Sequence, residues 1–218
     1  MAPPPASGYD QPMARYQRKD AYHQRAKREG FRSRAAYKLQ ELQRAQRVIL
    51  RGDRVVDLGC WPGGWLQVAS KLVGPQGRVV GVDLAAIEPS LDLANVVAIQ
   101  ADLSEAAVSK EILDALGGEP CDVLLSDAAP KLTGVKATDR AREELLLESV
   151  EALIPLLLRP RGSLILKILE GPEAQAIERR IRGRFEKAKA TRPDSSRKGT
   201  SERYLVARGY RGLDEVGS

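Results

Sequence analysis

The stretch Val55-Val56-Asp57-Leu58-Gly59-Cys60-Trp61-Pro62-Gly63-Gly64-Trp65 restricts the fold more than any other part of the chain. Two β-branched residues run into an acid, a glycine-rich loop follows, and residues 66–72 read as a helix. A strand, a tight turn and a helix N-terminus in that order are how an α/β fold holds a nucleotide-like ligand at its strand ends. The pattern then recurs. Residues 78–83, 95–102 and 121–127 read as buried strands ending on Asp83, Asp102 and Asp127, as the first ends on Asp57. Helical patterns over 104–116 and 138–158 separate most of them, and this alternation predicts a parallel sheet with helices on both faces. Ligands in such sheets bind beyond the carboxyl ends of the strands, where the four acids gather into a lined crevice.

The remaining elements carry two anomalies. A helix from an N-cap at Ser33 to about residue 46 places Ala35, Lys38, Leu39 and Leu42 on one face, so a lysine interrupts the apolar stripe. A fifth strand, 163–169, contains Lys167 within an otherwise apolar run. Burying an ammonium without a partner is costly, which makes Lys167 a site candidate; Lys38 read alone is more simply a snorkelling side chain. A helix over 173–182 and two final strands, 185–191 and 202–207, complete seven strands.

Charge is distributed unevenly. Residues 15–54 hold 13 Lys/Arg against 4 Asp/Glu and residues 178–211 hold 12 against 4, whereas residues 55–177 hold 10 against 18. The total of +6 therefore hides two basic ends around an acidic middle. In the first basic block Tyr16, Tyr22, Phe31 and Tyr37 alternate with cations, a combination that supplies phosphate contacts and stacking faces. Arg25, Lys27, Arg28, Arg32 and Arg34 are its candidate RNA-binding residues, and the loop Ser195-Ser196-Arg197-Lys198-Gly199 offers hydroxyls, cations and amides to phosphate. An ordinary solvated surface is the competing reading for both.

Four divisions are expected: a Pro-rich disordered start (1–14), a basic helical segment packed on the core (15–54), the core (55–210) and a flexible tail (211–218). No apolar run reaches the roughly 18 residues of a membrane span, and the start lacks the apolar centre of a signal peptide, so a cytoplasmic protein is expected. Cys60 and Cys121 make no metal-ligand spacing and read as buried, reduced thiols. The opening loop has Trp61 where a dinucleotide fingerprint needs its middle glycine, and no phosphate-cradling G-x-x-x-x-G-K-[ST] occurs. A nucleoside-type cofactor without pyrophosphate follows, with Asp83 placed for ribose hydroxyls. S-adenosylmethionine fits that description.

The chain resembles the FtsJ/RrmJ (RlmE)-type ribosomal RNA ribose 2′-O-methyltransferases. The resemblance is carried by Ser33-Arg34-Ala35-Ala36-Tyr37-Lys38-Leu39, by Asp57-Leu58-Gly59 with Pro62-Gly63-Gly64-Trp65, by Ser126-Asp127 with Ala129-Pro130, by Leu166-Lys167, and by residues 192–197 followed by Ser201-Glu202. It implies a single-domain, Rossmann-like class I methyltransferase fold, and a catalytic tetrad of Lys38, Asp127, Lys167 and Glu202. The two lysines that break apolar patterns are thus two of its four members. Lys167 would take or steer the proton of a ribose hydroxyl, Asp127 would orient it, Lys38 would stabilise developing negative charge, and Glu202 would hold the lysines in place. For the cofactor the resemblance places Gly63 and Trp65 at the methionine side, Asp83 at the ribose, Asp102 at the adenine and Asp127 near the methyl donor. Simple helix packing competes for Trp65 and a strand-end cap for Asp102. Trp61 and Lys131 depart from the family pattern, as does the loop Glu170-Gly171-Pro172.

Other acceptors are disfavoured. Asp127-Ala128-Ala129-Pro130-Lys131 lacks the aromatic that would stack a flipped base, and neither cysteine is placed as the nucleophile that pyrimidine carbon methylation needs. The resemblance points to a monomeric enzyme acting on a uridine ribose of large-subunit (23S) ribosomal RNA, with a tRNA anticodon-loop ribose methyltransferase as runner-up. A non-catalytic ribosome-assembly factor is the third reading, and an intact tetrad argues against it.

Overall fold

The computed structural model describes residues 21–130, 133–168, 171–196 and 202–212. The expectations placed on residues 1–14, Tyr16, Lys131, Glu170, Arg197, Lys198, Gly199, Ser201 and, in the tail, 213–218 lie outside them. Two helices precede the sheet, α1 (Ala21–Arg28) and α2 (Ala35–Gln46). The alternating part runs β1 (Arg54–Leu58), α3 (Gly64–Val73), β2 (Arg78–Asp83), β3 (Val96–Gln100), α4 (Val108–Leu116), β4 (Cys121–Ser126), α5 (Lys136–Leu157), β5 (Leu158–Ile168), α6 (Pro172–Gly183), β6 (Phe185–Thr191) and β7 (Arg203–Tyr210).

The seven strands lie in the order β3-β2-β1-β4-β5-β7-β6, parallel from β3 to β5. β7 is antiparallel to both β5 and β6, between which it is inserted. This is the expected, mostly parallel sheet of a Rossmann-like class I methyltransferase. Its central strands β1, β2, β4 and the second half of β5 are the near-continuous apolar runs that burial on two faces requires, whereas edge strands β3 and β6 are partly exposed. One face packs Leu39, Val55, Leu66, Val79, Ile165 and Val206 beneath α2 and α3. The other packs Val56, Val80, Ile112, Leu124, Ile154 and Leu205 beneath α4, α5 and α6. Lys167 follows Ile165 on the first face by strand alternation.

Three local expectations change. Ser33 does not cap α2: the helix begins behind Arg34, which is itself helical and makes no side-chain capping bond, while the Ser33 hydroxyl is buried without a partner. A Cβ on Gly64 would stand 2.3 Å from that hydroxyl, so close packing of the α3 start on residue 33 displaces the cap. α4 begins at Val108 rather than 104, because Asp102 accepts the Ser104 N–H and hydroxyl and winds residues 102–105 into a turn. β5 starts five residues earlier than expected, at Leu158, with its register against β4 shifting between Cys121 and Val123.

Candidate active site

Register brings the catalytic candidates together. Leu58, Ser126 and Leu166 are aligned across β1, β4 and β5, so Asp127 and Lys167 emerge side by side at the carboxyl ends. Lys167 stands opposite Tyr204 on β7. Lys38 arrives from α2, which packs over α3 on the same face.

The result is a row of alternating charges. Lys167 Nζ donates to the Asp127 main-chain carbonyl at 2.6 Å and lies 3.2 Å from Asp127 Oδ1. Lys38 Nζ lies 3.6 Å from Asp127 Oδ2 and 3.1 Å from Glu202 Oε2. Each lysine is therefore matched by carboxylate, which is what allows both to be buried, at 7% and 5% exposure. Glu202 touches Lys38 but makes no contact with Lys167 among the described residues, so its hold on the lysines passes through Lys38.

Tyr204 completes the row, and nothing in its local sequence sets it apart. It is fully buried, donates its hydroxyl to Asp127 Oδ1 at 2.6 Å, and presents its ring 5.6 Å from Lys38 Nζ. Burial first, and then the Asp127 charge, push its phenol pKa far up, so it remains a donor. Its position opposite the conspicuous Lys167 is the signal that could have found it.

The crevice beside this row is built by the opening stretch. Gly59 has φ +80°, and a Cβ there would stand 2.4 Å from that of Ala128, so the loop after β1 closes against the end of β4 only because both requirements are met by glycine. Gly63, also at positive φ, is the N-cap of α3. Asp83 accepts the Trp61 N–H on Oδ2 and the Ala85 N–H on Oδ1, which fixes its carboxylate at the crevice while leaving each oxygen further acceptor capacity. Asp102 caps its turn through Oδ1, and the bonds from Ser104 hold its pKa below the ordinary carboxylate range. Trp65 is built into helix packing: it is 3% exposed, donates its indole N–H to the Ala35 carbonyl at 2.8 Å, and lies against Tyr204. Trp61, by contrast, is 59% exposed at the crevice.

Asp57, at the end of β1, is the unexpected member. It is 1% exposed, and neither carboxylate oxygen has a hydrogen-bond partner. Burial, followed by the charges of Asp127 and Asp83, pushes its pKa well above the usual range. A buried carboxyl in this position favours binding of a donor, and a cationic amine is the donor that would restore its ionised form. The residues present therefore fit S-adenosylmethionine, with Asp57 facing an ammonium and Asp83 a ribose. A cavity of about 750 Å³, lined by residues 85–91, 96 and 98–100, lies along edge strand β3 and includes none of Asp57, Asp83, Asp102 or Asp127.

The RNA candidates divide. Arg25 pairs with Glu29 at 2.7 Å and stacks on Tyr37 at 4.8 Å; Lys27 and Arg28 are exposed on α1. Arg32 donates to the carbonyls of Pro89 and Ser90, and Arg34 to that of Ser195, so both brace the fold. Ser195 and Ser196 are not presented to a phosphate: they are 0% and 8% exposed, because the loop packs on α2, where the Ser195 N–H bonds Glu41. Cys60 and Cys121 are buried free thiols whose pKa values burial drives up, which leaves neither as a nucleophile.

Comparison with known proteins agrees with this geometry. The family profile described as FtsJ-like methyltransferase matches residues 31–210. The chain is 41% identical over 193 residues to ribosomal RNA large subunit methyltransferase E of Pseudomonas aeruginosa, covering 88% of this chain and 92% of that one. It is 41% identical over 198 residues to the protein of the same name from Methanothermobacter thermautotrophicus, covering 91% and 93%. A Plasmodium falciparum structure assigned as a ribosomal RNA methyltransferase superposes with a TM-score of 0.72 at 28% identity, over 84% of this chain and 100% of that one. Fibrillarin from Aeropyrum pernix, solved with S-adenosyl-L-methionine, shares the fold at a TM-score of 0.60 and 20% identity, over 79% and 75%.

Proposed function

The chain belongs to the FtsJ-like methyltransferase family, and from that premise we propose that it methylates a ribose 2′-hydroxyl of large-subunit ribosomal RNA, at a uridine, using S-adenosylmethionine. The observation that carries this reading is the row Lys167, Asp127, Lys38 and Glu202, with both lysines buried, beside the Asp57–Asp83 crevice. The P. aeruginosa and M. thermautotrophicus relatives support the RNA assignment by their names and by near full-length coverage. The enzyme acts as a cytoplasmic monomer in ribosome maturation.

S-adenosylmethionine, when bound, supplies an already activated methyl group, so the work left to the protein is alignment and proton control. Asp57 would hold its ammonium, Gly63 its methionine side, Asp83 its ribose and Asp102 its adenine. Lys167 meets the 2′-oxygen and takes or steers its proton. Asp127 fixes Lys167 through its main-chain carbonyl and one carboxylate oxygen, and Tyr204 fixes that oxygen in turn. Lys38 offsets negative charge growing on the attacking oxygen, and Glu202 holds Lys38. Arg25, Lys27 and Arg28 bind the RNA backbone near this mouth.

Incubation with methyl-labelled S-adenosylmethionine and either unmethylated large ribosomal subunits or bulk tRNA tests the reading. Label is expected in subunit RNA, at a nuclease-resistant 2′-O-methyl linkage. Label in tRNA alone would reassign the substrate, and label in neither would sink the enzymatic reading.

A further inference from the structure

The end of the sheet opposite the active site carries a second concentration of positive charge that the reaction does not use. Near β4 and β5 this end is neutralised: Arg159 pairs with Asp122 at 2.6 Å, and Arg54 approaches Asp122 and Glu119 at 3.8 and 4.0 Å. Near β2 and β3 it is not. There a recess of about 620 Å³ is lined by residues 70, 71, 74–78, 94, 95 and 97, including the exposed Lys71 and Arg78. The guanidinium of exposed Arg51 reaches its rim at Gly74, 3.5 Å from where a Cβ would stand. None of these three cations is paired with a carboxylate among the described residues. The recess also has a fixed floor: the Ser70 hydroxyl donates to Asn95 Oδ1, and the Asn95 amide donates to the carbonyls of Ser70 and Gly74.

A row of rings and cations connects this recess to the catalytic side. Arg34, one turn before Lys38, stands 5.6 Å from the ring of Tyr22. Tyr22 lies 5.6 Å from Tyr37, Tyr37 lies 5.7 Å from Phe31, and Lys71 stands 5.1 Å over Phe31. Lys71 is in the last turn of α3, whose first turn borders the cofactor crevice. Ten residues of helix span about 15 Å, or four to five backbone steps of a helical nucleic-acid strand. Lys27 and Arg28 are exposed in the last turn of α1, the helix that also carries Tyr22.

We propose that the recess bounded by Arg51, Lys71 and Arg78 is a second RNA-backbone site, which holds phosphates of the strand flanking the acceptor nucleotide about one α3 length from the methylated ribose. This rests on RNA being the substrate. It assigns to the amino end of the sheet a role in grip and register, separate from the chemistry at the carboxyl end. Tyr22 and Phe31 are half-buried and Tyr37 between them is buried, so the rings hold the intervening cations in place and leave the phosphate contacts to those cations.

The test is RNA binding as a function of salt, with an in vitro transcript of large-subunit ribosomal RNA as the probe. The triple variant Arg51→Gln, Lys71→Gln, Arg78→Gln should bind about tenfold more weakly near physiological salt, and its log–log salt slope should fall by about 2, at roughly 0.7 to 0.9 for each phosphate no longer neutralised. Cofactor binding by calorimetry should be unchanged, which reports that the variant is folded. If it is not, the single variants Arg51→Gln and Arg78→Gln should each lower the slope by about 0.7 to 0.9. An unchanged slope in folded variants, with the wild type binding normally, overturns the recess and leaves the enzymatic reading intact. Failure of the wild type to bind the transcript overturns the RNA reading, and the recess with it. An unchanged slope with slower turnover on assembled subunits would assign the recess to an acidic protein partner and overturn the proposal.

Discussion

Lys167 and Tyr204 face one another across the β5–β7 ladder, and both bring a donor to the same atom, Oδ1 of Asp127. The tyrosine holds the carboxylate that holds the lysine. Removing its hydroxyl as Tyr204→Phe keeps the packing against Trp65 but deletes a hydrogen bond to a half-buried charge. Such a bond contributes roughly 1.5–3 kcal/mol, so kcat should fall about 10- to 100-fold. Cofactor affinity measured by calorimetry should stay within about twofold, a result that an unfolded variant could not give.

Lys167→Ala should abolish methyl transfer while leaving cofactor binding in place, because the lysine's described bonds are all to Asp127. Single-turnover transfer with saturating cofactor is the measurement. Residual transfer near the wild-type rate would remove Lys167 from the chemistry.

Glu202 acts through Lys38 in this geometry, and that is testable without assuming either role. Lys38→Ala and Glu202→Gln should each slow transfer, and the double variant should be no slower than Lys38→Ala alone. Additive losses would require a second contact for Glu202.

Asp57 links pH to stability in a direction opposite to that of most paired carboxylates. Its folded pKa lies above its unfolded value of about 3.9, so over the interval between them the native state retains a proton that the unfolded chain has lost. Stability of the cofactor-free protein should therefore fall as pH rises from about 4 towards that raised pKa. Asp57→Asn should remove this part of the slope, stabilise the free protein above neutral pH by about 1–3 kcal/mol, and weaken cofactor binding. Denaturation midpoints for both proteins from about pH 4 to about pH 8.5 check the sign. Parallel curves would mean that Asp57 is ionised and satisfied in the folded protein.

Trp61 and Trp65 are the only tryptophans, and they occupy opposite environments, at 59% and 3% exposure. Cofactor addition should shift the emission of Trp61 to shorter wavelength, and Trp61→Phe should remove the change. A shift that survives the substitution would make Trp65 the reporter and leave Trp61 outside the site.

The strands and the catalytic row were legible because each rests on a local conflict or a local regularity. Lys38 and Lys167 interrupt apolar patterns, and β-branched runs ending on acids are self-announcing. What escaped depends on contacts distant in the chain. Tyr204 in an apolar strand looks like any core aromatic until its register with Lys167 is known. Ser195 and Ser196 have the composition of an exposed loop, but Arg34 and Glu41 hold that loop against α2. Arg32 and Arg34 count as surface charge until carbonyls 57 and 161 residues away are seen to receive them. Ser33 has the chemistry of a helix cap and loses the position to close packing at Gly64.

The insertion of β7 between β5 and β6 has a consequence for how such a chain becomes active during synthesis. Residues 38, 127 and 167 emerge from the ribosome before Glu202 and Tyr204, yet Lys38 gains its second carboxylate, and Asp127 the Tyr204 hydroxyl, only when the strand after Thr191 returns into the gap. Until then β5 has one open edge, two lysines share one acid, and the cofactor loop is complete without a working centre beside it. Competence is thus acquired in a single late event, so a stalled or truncated nascent chain would carry the crevice but not the reaction.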